Sequence, residues 1–195
     1  MLQDTRLSDL TAIETRLWEE LARCARDAGH GWHRAVLATA GEDGADARVV
    51  VLREARPALH ELVIYTDTRS PKARQIEHDP RATLVCWCPD MGWQLRLRCH
   101  LELADDGLEV TSRWAGIRHR PAAQDYLSPL APGSVVRDPR AGGATSSDDA
   151  RSACVQRGHF GVLTARVQSI DWLEVHAQGH RRASFDTQGR RWLVP

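Results

Sequence analysis

The sequence predicts a mainly β fold with peripheral helices (α+β), built as an antiparallel barrel. Three observations carry this. After residue 33 the chain reads as many short segments with alternating or β-branched apolar residues. Turn signals separate these segments, and helical periodicity is confined to a few stretches. The 195 residues suffice for one domain with its own core, so a single domain over 1–195 is expected.

Residues 8–28 carry the helical period, with Leu10, Ile13, Leu17, Leu21, Cys24 and Ala28 three or four apart. Ser8 is placed to cap this helix, or Thr11 with Glu14 as a capping box, and Gly29 and Gly31 end it. Strands are predicted at 34–39, 47–53, 60–66, 82–88 and 93–103. Gly41-Glu42-Asp43-Gly44 turns the first pair, and Pro89-Asp90-Met91-Gly92 the last. Helices are predicted over 71–78 and 106–118. Residues 131–157, rich in Pro, Gly, Ser and Asp, read as a long mobile loop. Two or three strands close the chain, at 159–168, 171–176 and 181–186, with Trp192 near the end.

Composition narrows the function. Basic and acidic residues number 26 each, so the net charge is zero, which argues against a nucleic-acid binder working by bulk charge. There is no run of 18 apolar residues and no signal-peptide core, so no membrane association is expected. Five cysteines, an odd number, are expected to be reduced and buried in a cytoplasmic protein. No CxxC or metal-ligand spacing occurs, so no metal site is expected. No GxSxG or triad-like pattern supports hydrolase chemistry. His30 and His33 are expected at the surface or as caps, and Trp87 and Trp93 in the core.

One basic residue stands out. Lys72 is the only lysine among the 26 basic residues. It lies in the segment YTDTRSPKARQIEHDP, Tyr65 to Pro80, where a strand ends and a helix starts. Ser70 sits at the N-cap position and Pro71 at the first helical position. Lys72 and Arg69 therefore flank a helix start, where cations oppose the helix dipole by about 0.3 to 1 kcal/mol. A bound anion would relieve this, because free N–H groups at helix N-termini bind phosphate. Two solvated cations on an exposed turn is the competing reading.

Two strands add candidates. RVVVLR, Arg48 to Arg53, has a β-branched apolar centre bracketed by arginines. Its ends lie about 16 Å apart and alternate faces, so Arg48 and Arg53 diverge unless a bulge intervenes. WQLRLRC, Trp93 to Cys99, places Leu95, Leu97 and Cys99 on one face and Gln94, Arg96 and Arg98 on the other. That polar row suits the wall of a polar aromatic ligand, and equally any half-exposed strand.

In this order, RVVVLR, YTDTRSPKARQIEHDPRATL, WQLRLR, GHRRASF and WLVP resemble the pyridoxamine 5′-phosphate oxidase-like flavoproteins, which are FMN-binding split β-barrels. The likeness spans about 34–103 well and 159–195 moderately. It implies a homodimer holding FMN at the subunit interface. Arg48 and Lys72 match residues that hold the FMN phosphate. Val49, Val50 and Val51 match the strand whose backbone lines the flavin. Tyr65 and Thr66 match the next contacting pair, and Gln94 a glutamine on the flavin. Arg53 matches a lysine that meets the substrate phosphate in the true oxidase. Where the family often has an arginine directly before the cofactor lysine this chain has Pro71, so Arg69 with Ser70 is the replacement.

The substrate half departs further. The oxidase motif Arg-x-His followed by Asp-Arg corresponds to Arg181-Arg182-Ala183-Ser184-Phe185. Arg181 is kept as a substrate-binding candidate, while Ala183 and Phe185 replace the histidine and the final arginine. Trp172 falls one position early for a tryptophan near the flavin. The expectation is an FMN-dependent oxidoreductase with an altered small-molecule substrate. Its chemistry would be flavin-based, with no catalytic side chain assigned. The alternatives are a genuine pyridoxamine or pyridoxine 5′-phosphate oxidase, and a flavin-binding module without turnover.

Overall fold

The computed structural model describes residues 6–138 and 157–195. Helix α1 spans Leu10–Cys24, shorter than the sequence pattern at both ends. Its cap is neither Ser8 nor Thr11: the Asp9 carboxylate accepts the Ala12 N–H at 2.8 Å. Ile13, Leu17, Leu21 and Cys24 form its buried stripe, as the spacing predicts. Strands β1 (Arg34–Gly41) and β2 (Gly44–Arg56) form a hairpin in which Gly41 pairs with Gly44. Strand β3 (Glu61–Asp67), helix α2 (Pro71–His78), strand β4 (Arg81–Cys88) and strand β5 (Trp93–Ala104) follow close to prediction. Helix α3 covers Leu108–Ile117, and a 3-10 helix at Pro121–Tyr126 is an addition to the sequence reading.

The C-terminal part differs more. The predicted strands 159–168 and 171–176 are one 15-residue strand, β6 (Phe160–Glu174). Strand β7 is Arg181–Asp186, and β8, Gly189–Leu193, completes the sheet. Most of the segment read as a long loop, 139–156, lies outside the described residues.

The strand order is β3-β2-β1-β4-β5-β6-β7-β8, and β3 pairs again with β6. Strands β1 to β6 are thus a closed cycle of neighbours, the connectivity of a barrel, with β7 and β8 extending from β6. Only a long strand serves three neighbours, which accounts for the length of β6.

The chain divides into two compact units. The first comprises Met1–Ile64, Arg81–Leu101 and Ala165–Pro195, and the second Tyr65–Pro80 and Glu102–Thr164. The core of the first unit is the inward row of each strand, including Leu37, Leu52, Leu84, Leu95 and Leu97, covered by α1. Cys24, Cys86, Cys88 and Cys99 are buried and free, as expected. Burial pushes the thiols of Cys24 and Cys99 up to about 12 and raises Cys86 as well, so they stay protonated at neutral pH.

His30 departs from expectation. It is buried, its Nδ1 accepts the Trp32 N–H at 3.0 Å, and its Nε2 meets the Glu20 carboxylate at 2.9 Å. The Trp32 bond leaves Nδ1 as acceptor and Nε2 as donor. Arg16 and Arg23 also bind the buried Glu20, so the carboxylate is compensated. His33 does cap: its Nδ1 lies 2.7 Å from the Cys24 carbonyl at the end of α1.

The second unit is organised around Phe160. The rings of Tyr65, Trp114 and Tyr126 surround it with centroids 5.0 to 5.4 Å away. Aromatic pairs of this kind contribute about 0.5–1.5 kcal/mol each beyond area burial.

Candidate functional site

In the first unit, alternation along RVVVLR sends Val50 and Leu52 into the core and Val49 to the opposite face. The registers extend that face across the sheet. Val49 is opposite Val36, Val36 opposite Val85, and Val85 opposite Arg96. One step along, Val51 is opposite Arg34 and Trp87 opposite Gln94. The result is an open apolar surface bordered by the polar column Gln94, Arg96 and Arg98. Val49 is 63% exposed, Trp87 45% and Val36 38%. Trp93 is in the core as expected, whereas Trp87 is on this open face because it alternates with buried Cys86 and Cys88.

Arg48 points the other way, with the core-facing residues of β2. Its guanidinium is held by Thr39 Oγ1 at 2.6 Å, the Leu37 carbonyl at 3.3 Å and Asp46 at 2.5 Å. Arg53 sits at a register shift between Leu52 and Glu54. The bulge that alone would stop Arg48 and Arg53 diverging is therefore at Arg53 itself. A bulge re-aims the side chain it contains, and the Nε of Arg53 is sealed from solvent.

The two arginines at the start of β7 occupy opposite faces. Arg181 binds Glu174 through Nε and Nη2, both at 2.8 Å, and donates to the Leu7 carbonyl at 2.8 Å. Glu174 also accepts from Trp93 Nε1 at 3.1 Å and pairs with Arg6, so this cluster is on the Trp93 side of the sheet. Arg182 binds Asp171 at 3.0 and 2.7 Å, and Arg96 binds the same carboxylate. That triad is on the Gln94 side. Partial burial raises Asp171, but hydrogen bonds from Arg182 and Arg96 and their charges outweigh it, holding the carboxyl below its usual range. Trp172 is fully buried on the Arg181 side, its ring 5.3 Å from Trp93.

In the second unit, β3 ends at Tyr65-Thr66-Asp67 and α2 begins at Pro71. The edge-on contact with Phe160 fixes the Tyr65 ring, and Arg113 donates to its hydroxyl at 3.4 Å. Thr66 and Ser70 are buried, with their hydroxyl oxygens 3.5 Å apart. Ser70 occupies the N-cap position with extended backbone, but its hydroxyl does not cap. Arg69 bonds Asp67 and the carbonyls of Ser128, Pro129 and Leu130. Lys72 is half-buried in the first turn of α2, a turn with no acidic residue.

Sequence reasoning placed Trp87 in the core and gave no role to Asp171 or Arg182. The first was readable: the Pro89–Gly92 turn sets Cys88 against Trp93 and hence Trp87 against Gln94. The Asp171 triad depends on how β5 and β7 flank β6, which no local pattern encodes.

Comparison with known proteins agrees with this fold. Residues 15–105 match the family model described as pyridoxamine 5′-phosphate oxidase, FMN-binding domain. No curated protein matches the sequence. Among solved structures, a pyridoxamine 5′-phosphate oxidase-related, FMN-binding protein from Nostoc punctiforme PCC 73102 aligns with TM-score 0.69 at 20% identity, over 98% of this chain and 100% of that one. PhzG from Burkholderia lata 383, in complex with tetrahydrophenazine-1-carboxylic acid, aligns with TM-score 0.68 at 17% identity, over 98% and 95%. ChuZ from Campylobacter jejuni aligns with TM-score 0.57 at 10% identity, over 96% of this chain and 64% of that one. At these identities the structures establish a shared fold. The family match over residues 15–105 and the shared fold agree, and both are consistent with a divergent member of the pyridoxamine 5′-phosphate oxidase-like FMN-binding family.

Proposed function

We propose that this protein binds FMN and acts as an FMN-dependent oxidoreductase on a small molecule other than the oxidase's own substrate. The observation that carries the reading is the open face around Val49. A flavin ring needs an apolar surface with a few hydrogen-bonding groups at its polar edge. Val36, Val49, Val51, Val85 and Trp87 supply the first, and Gln94 the second. In the second unit, Lys72, the Ser70 hydroxyl and the N–H groups of the first turn of α2 form a donor set suited to a phosphate. When bound, FMN supplies a ring that takes up or gives up a hydride.

The protein's residues orient and shield that ring. The half-buried Gln94 amide would hydrogen-bond its polar edge. Exposed apolar residues in one patch are also the mark of a covered surface. A second copy of the chain laid over Val36, Val49 and Trp87 would exclude water there, making the working form a homodimer. The absence of the motif histidine, with Ala183 in its place, supports a substrate other than pyridoxamine 5′-phosphate.

The visible spectrum of purified protein tests the reading. Flavin absorption bands are expected, with FMN and not FAD released on denaturation. A colourless protein that fails to take up added FMN would overturn it. Oxygen-dependent formation of pyridoxal phosphate would favour a genuine oxidase instead. No reduction of bound FMN by any donor in a metabolite screen would favour a binding module.

A further inference from the structure

We infer that Trp32, Trp93, Trp172 and Trp192 form a relay that carries one-electron oxidation out of the core of the first unit to the protein surface. An electron vacancy moves from ring to ring along it and comes to rest on Trp192. As an exit for oxidising equivalents from a flavin at Gln94 it rests on the FMN reading, but as a property of the tryptophan row it stands on its own geometry.

Four of the seven tryptophans lie in this row. Ring centroids are 6.5 Å apart from Trp32 to Trp93, 5.3 Å from Trp93 to Trp172 and 6.3 Å from Trp172 to Trp192. Each step falls within the range of about 4.5–7 Å found for aromatic pairs in contact. Electron tunnelling weakens steeply with the gap between rings, so touching rings exchange an electron far faster than rings separated by another side chain. Indole is among the most easily oxidised side chains. The row also runs from inside to outside: Trp32 and Trp172 are fully buried, Trp93 is nearly so, and Trp192 is 45% exposed.

The surroundings of each indole N–H give the row a direction. A ring that has lost an electron becomes a much stronger acid at its N–H, and the vacancy is trapped where that proton leaves. Trp32 Nε1 donates to the Trp93 carbonyl at 3.4 Å, and a carbonyl is too weak a base to take the proton. Trp93 Nε1 donates to the Glu174 carboxylate at 3.1 Å. Arg181 and Arg6 hold that carboxyl below its ordinary range, so it stabilises positive charge on Trp93 yet is a poor base. Trp172 Nε1 is sealed from solvent and has no hydrogen-bond partner. Its proton has no acceptor, and the Arg181 guanidinium 5.7 Å over the ring disfavours positive charge there, so the vacancy moves on. Water reaches the Trp192 ring and can take its proton.

The complete step balances. An oxidant takes one electron from Trp93, Trp172 refills Trp93, Trp192 refills Trp172, and Trp192 releases its N–H proton to water. Trp192 loses one electron and one proton, and the oxidant gains the electron. Trp93 and Gln94 are consecutive in β5, so a photoexcited flavin at Gln94 would be joined to the row through one peptide unit.

The test is irradiation of the full chain, free of FMN, with ultraviolet light absorbed by tryptophan in aerated buffer. Light ejects an indole electron, dissolved oxygen takes it up, and peptide mass spectrometry locates the oxygenated indole formed where the vacancy rests. Trp87 is also 45% exposed but stands outside the row, so exposure alone gives Trp87 and Trp192 equal yields. Trp192 collects from four rings and Trp87 from one, so about fourfold more product is expected at Trp192. In Trp172→Phe the Trp192 yield should fall about fourfold, with product appearing at Trp32 and Trp93 and Trp87 unchanged. Equal yields at Trp192 and Trp87, or a Trp192 yield that Trp172→Phe leaves unchanged with the circular dichroism spectrum preserved, would overturn the inference. Trp192→Phe, a surface change, decides the matter if Trp172→Phe does not fold: product at Trp93 and Trp172 should rise, and no rise would overturn the relay. With FMN bound, blue light absorbed by the flavin alone should give the same Trp192 product, and its absence would overturn the link to the flavin. If ultraviolet light drains to Trp192 while FMN is not taken up, the flavin reading fails and the relay survives it.

Discussion

Arg69 grips Asp67 along both edges of its guanidinium, Nε to Oδ1 at 3.1 Å and Nη2 to Oδ2 at 2.7 Å. Asp67 is buried, and its Oδ1 also accepts the Arg69 N–H at 2.8 Å. Arg69 thus locks the strand-to-helix turn and, through the carbonyls of residues 128–130, the segment beyond α3. Its neighbour Lys72 stands in the first helical turn. The two cations read together in the sequence therefore stand apart: Arg69 holds the loop, and Lys72 is the cation that the proposed phosphate site would use.

The two should separate experimentally. Lys72→Ala is expected to weaken FMN binding by about 10- to 100-fold, the loss of one strong charge-assisted contact, with little change in melting temperature. Arg69→Ala leaves buried Asp67 without its cation and should cost about 3–5 kcal/mol of stability. FMN fluorescence titration and thermal melts on both variants check this. Equal losses of FMN affinity at matched stability would reverse the assignment.

Val49 offers a surface test. It is 63% exposed, so a charge there costs the single chain little. Laid against a second copy or an FMN ring, the same charge would be desolvated. Val49→Asp is expected to shift the protein toward monomer in size-exclusion chromatography and to reduce FMN uptake, with the circular dichroism spectrum unchanged. A variant that stays dimeric and loads FMN normally would remove this face from the site.

Much of this site was legible because strands alternate and hairpins fix register. Once Leu95 and Leu97 are assigned inward, Gln94, Arg96 and Arg98 must share the outer face, and they do. Two kinds of feature were not legible. Ser169 and Ile170 are expected from the sequence to separate two strands, yet they pair with Asp186 and Phe185 of β7 and the strand runs straight through them, so long-range hydrogen bonding overrides the local pattern. His30 looks like a surface residue beside glycines, but it is the partner of Glu20, a charged residue on the helix face that buries. Arg181 and Arg182 show the limit of motif transfer. Adjacent residues on a strand face opposite ways, so which arginine shares the Gln94 face is decided by register and not by the motif.

Gly92 is required by its conformation and by a close approach. It closes the β4–β5 turn with φ of 64°, and a Cβ there would lie 2.5 Å from the Val175 carbonyl oxygen. That carbonyl belongs to backbone, tied here by the Val175 N–H donating to the Gly92 carbonyl at 2.8 Å. Gly92→Ala is expected to destabilise by about 1–3 kcal/mol. It should also disturb the alignment of Trp87 with Gln94, and so weaken FMN binding. Gly44 supplies the control: its φ is 118°, but a Cβ there would meet no atom within 4 Å. Gly44→Ala should cost only backbone strain and leave FMN affinity intact. Comparable effects on FMN binding from both variants would show that the Gly92 turn does not set the site.

Glu174 gives the stability a defined pH dependence. Burial pushes its carboxyl up, but hydrogen bonds from Arg181 and Trp93, with the charges of Arg181 and Arg6, pull it below its ordinary value of 4.5. The unfolded chain therefore takes up this proton at higher pH than the folded one. The stabilisation is complete above the ordinary value and fades as pH falls toward the lower, folded one. Glu174→Gln keeps an acceptor for Trp93 Nε1 but removes the charge. At pH 7 it should lose about 1–3 kcal/mol, the worth of hydrogen bonds to a charged group. The gap between the two melting curves should hold from pH 7 to about 5.5 and narrow below about 4.5, where the carboxyl of the unfolded chain begins to take up its proton. A gap that stays constant down to about pH 3 would mean that the Arg181–Glu174 pair contributes through packing and not through charge. Arg181→Gln should then be nearly as stable as the unsubstituted protein, instead of leaving a buried carboxylate with one cation fewer.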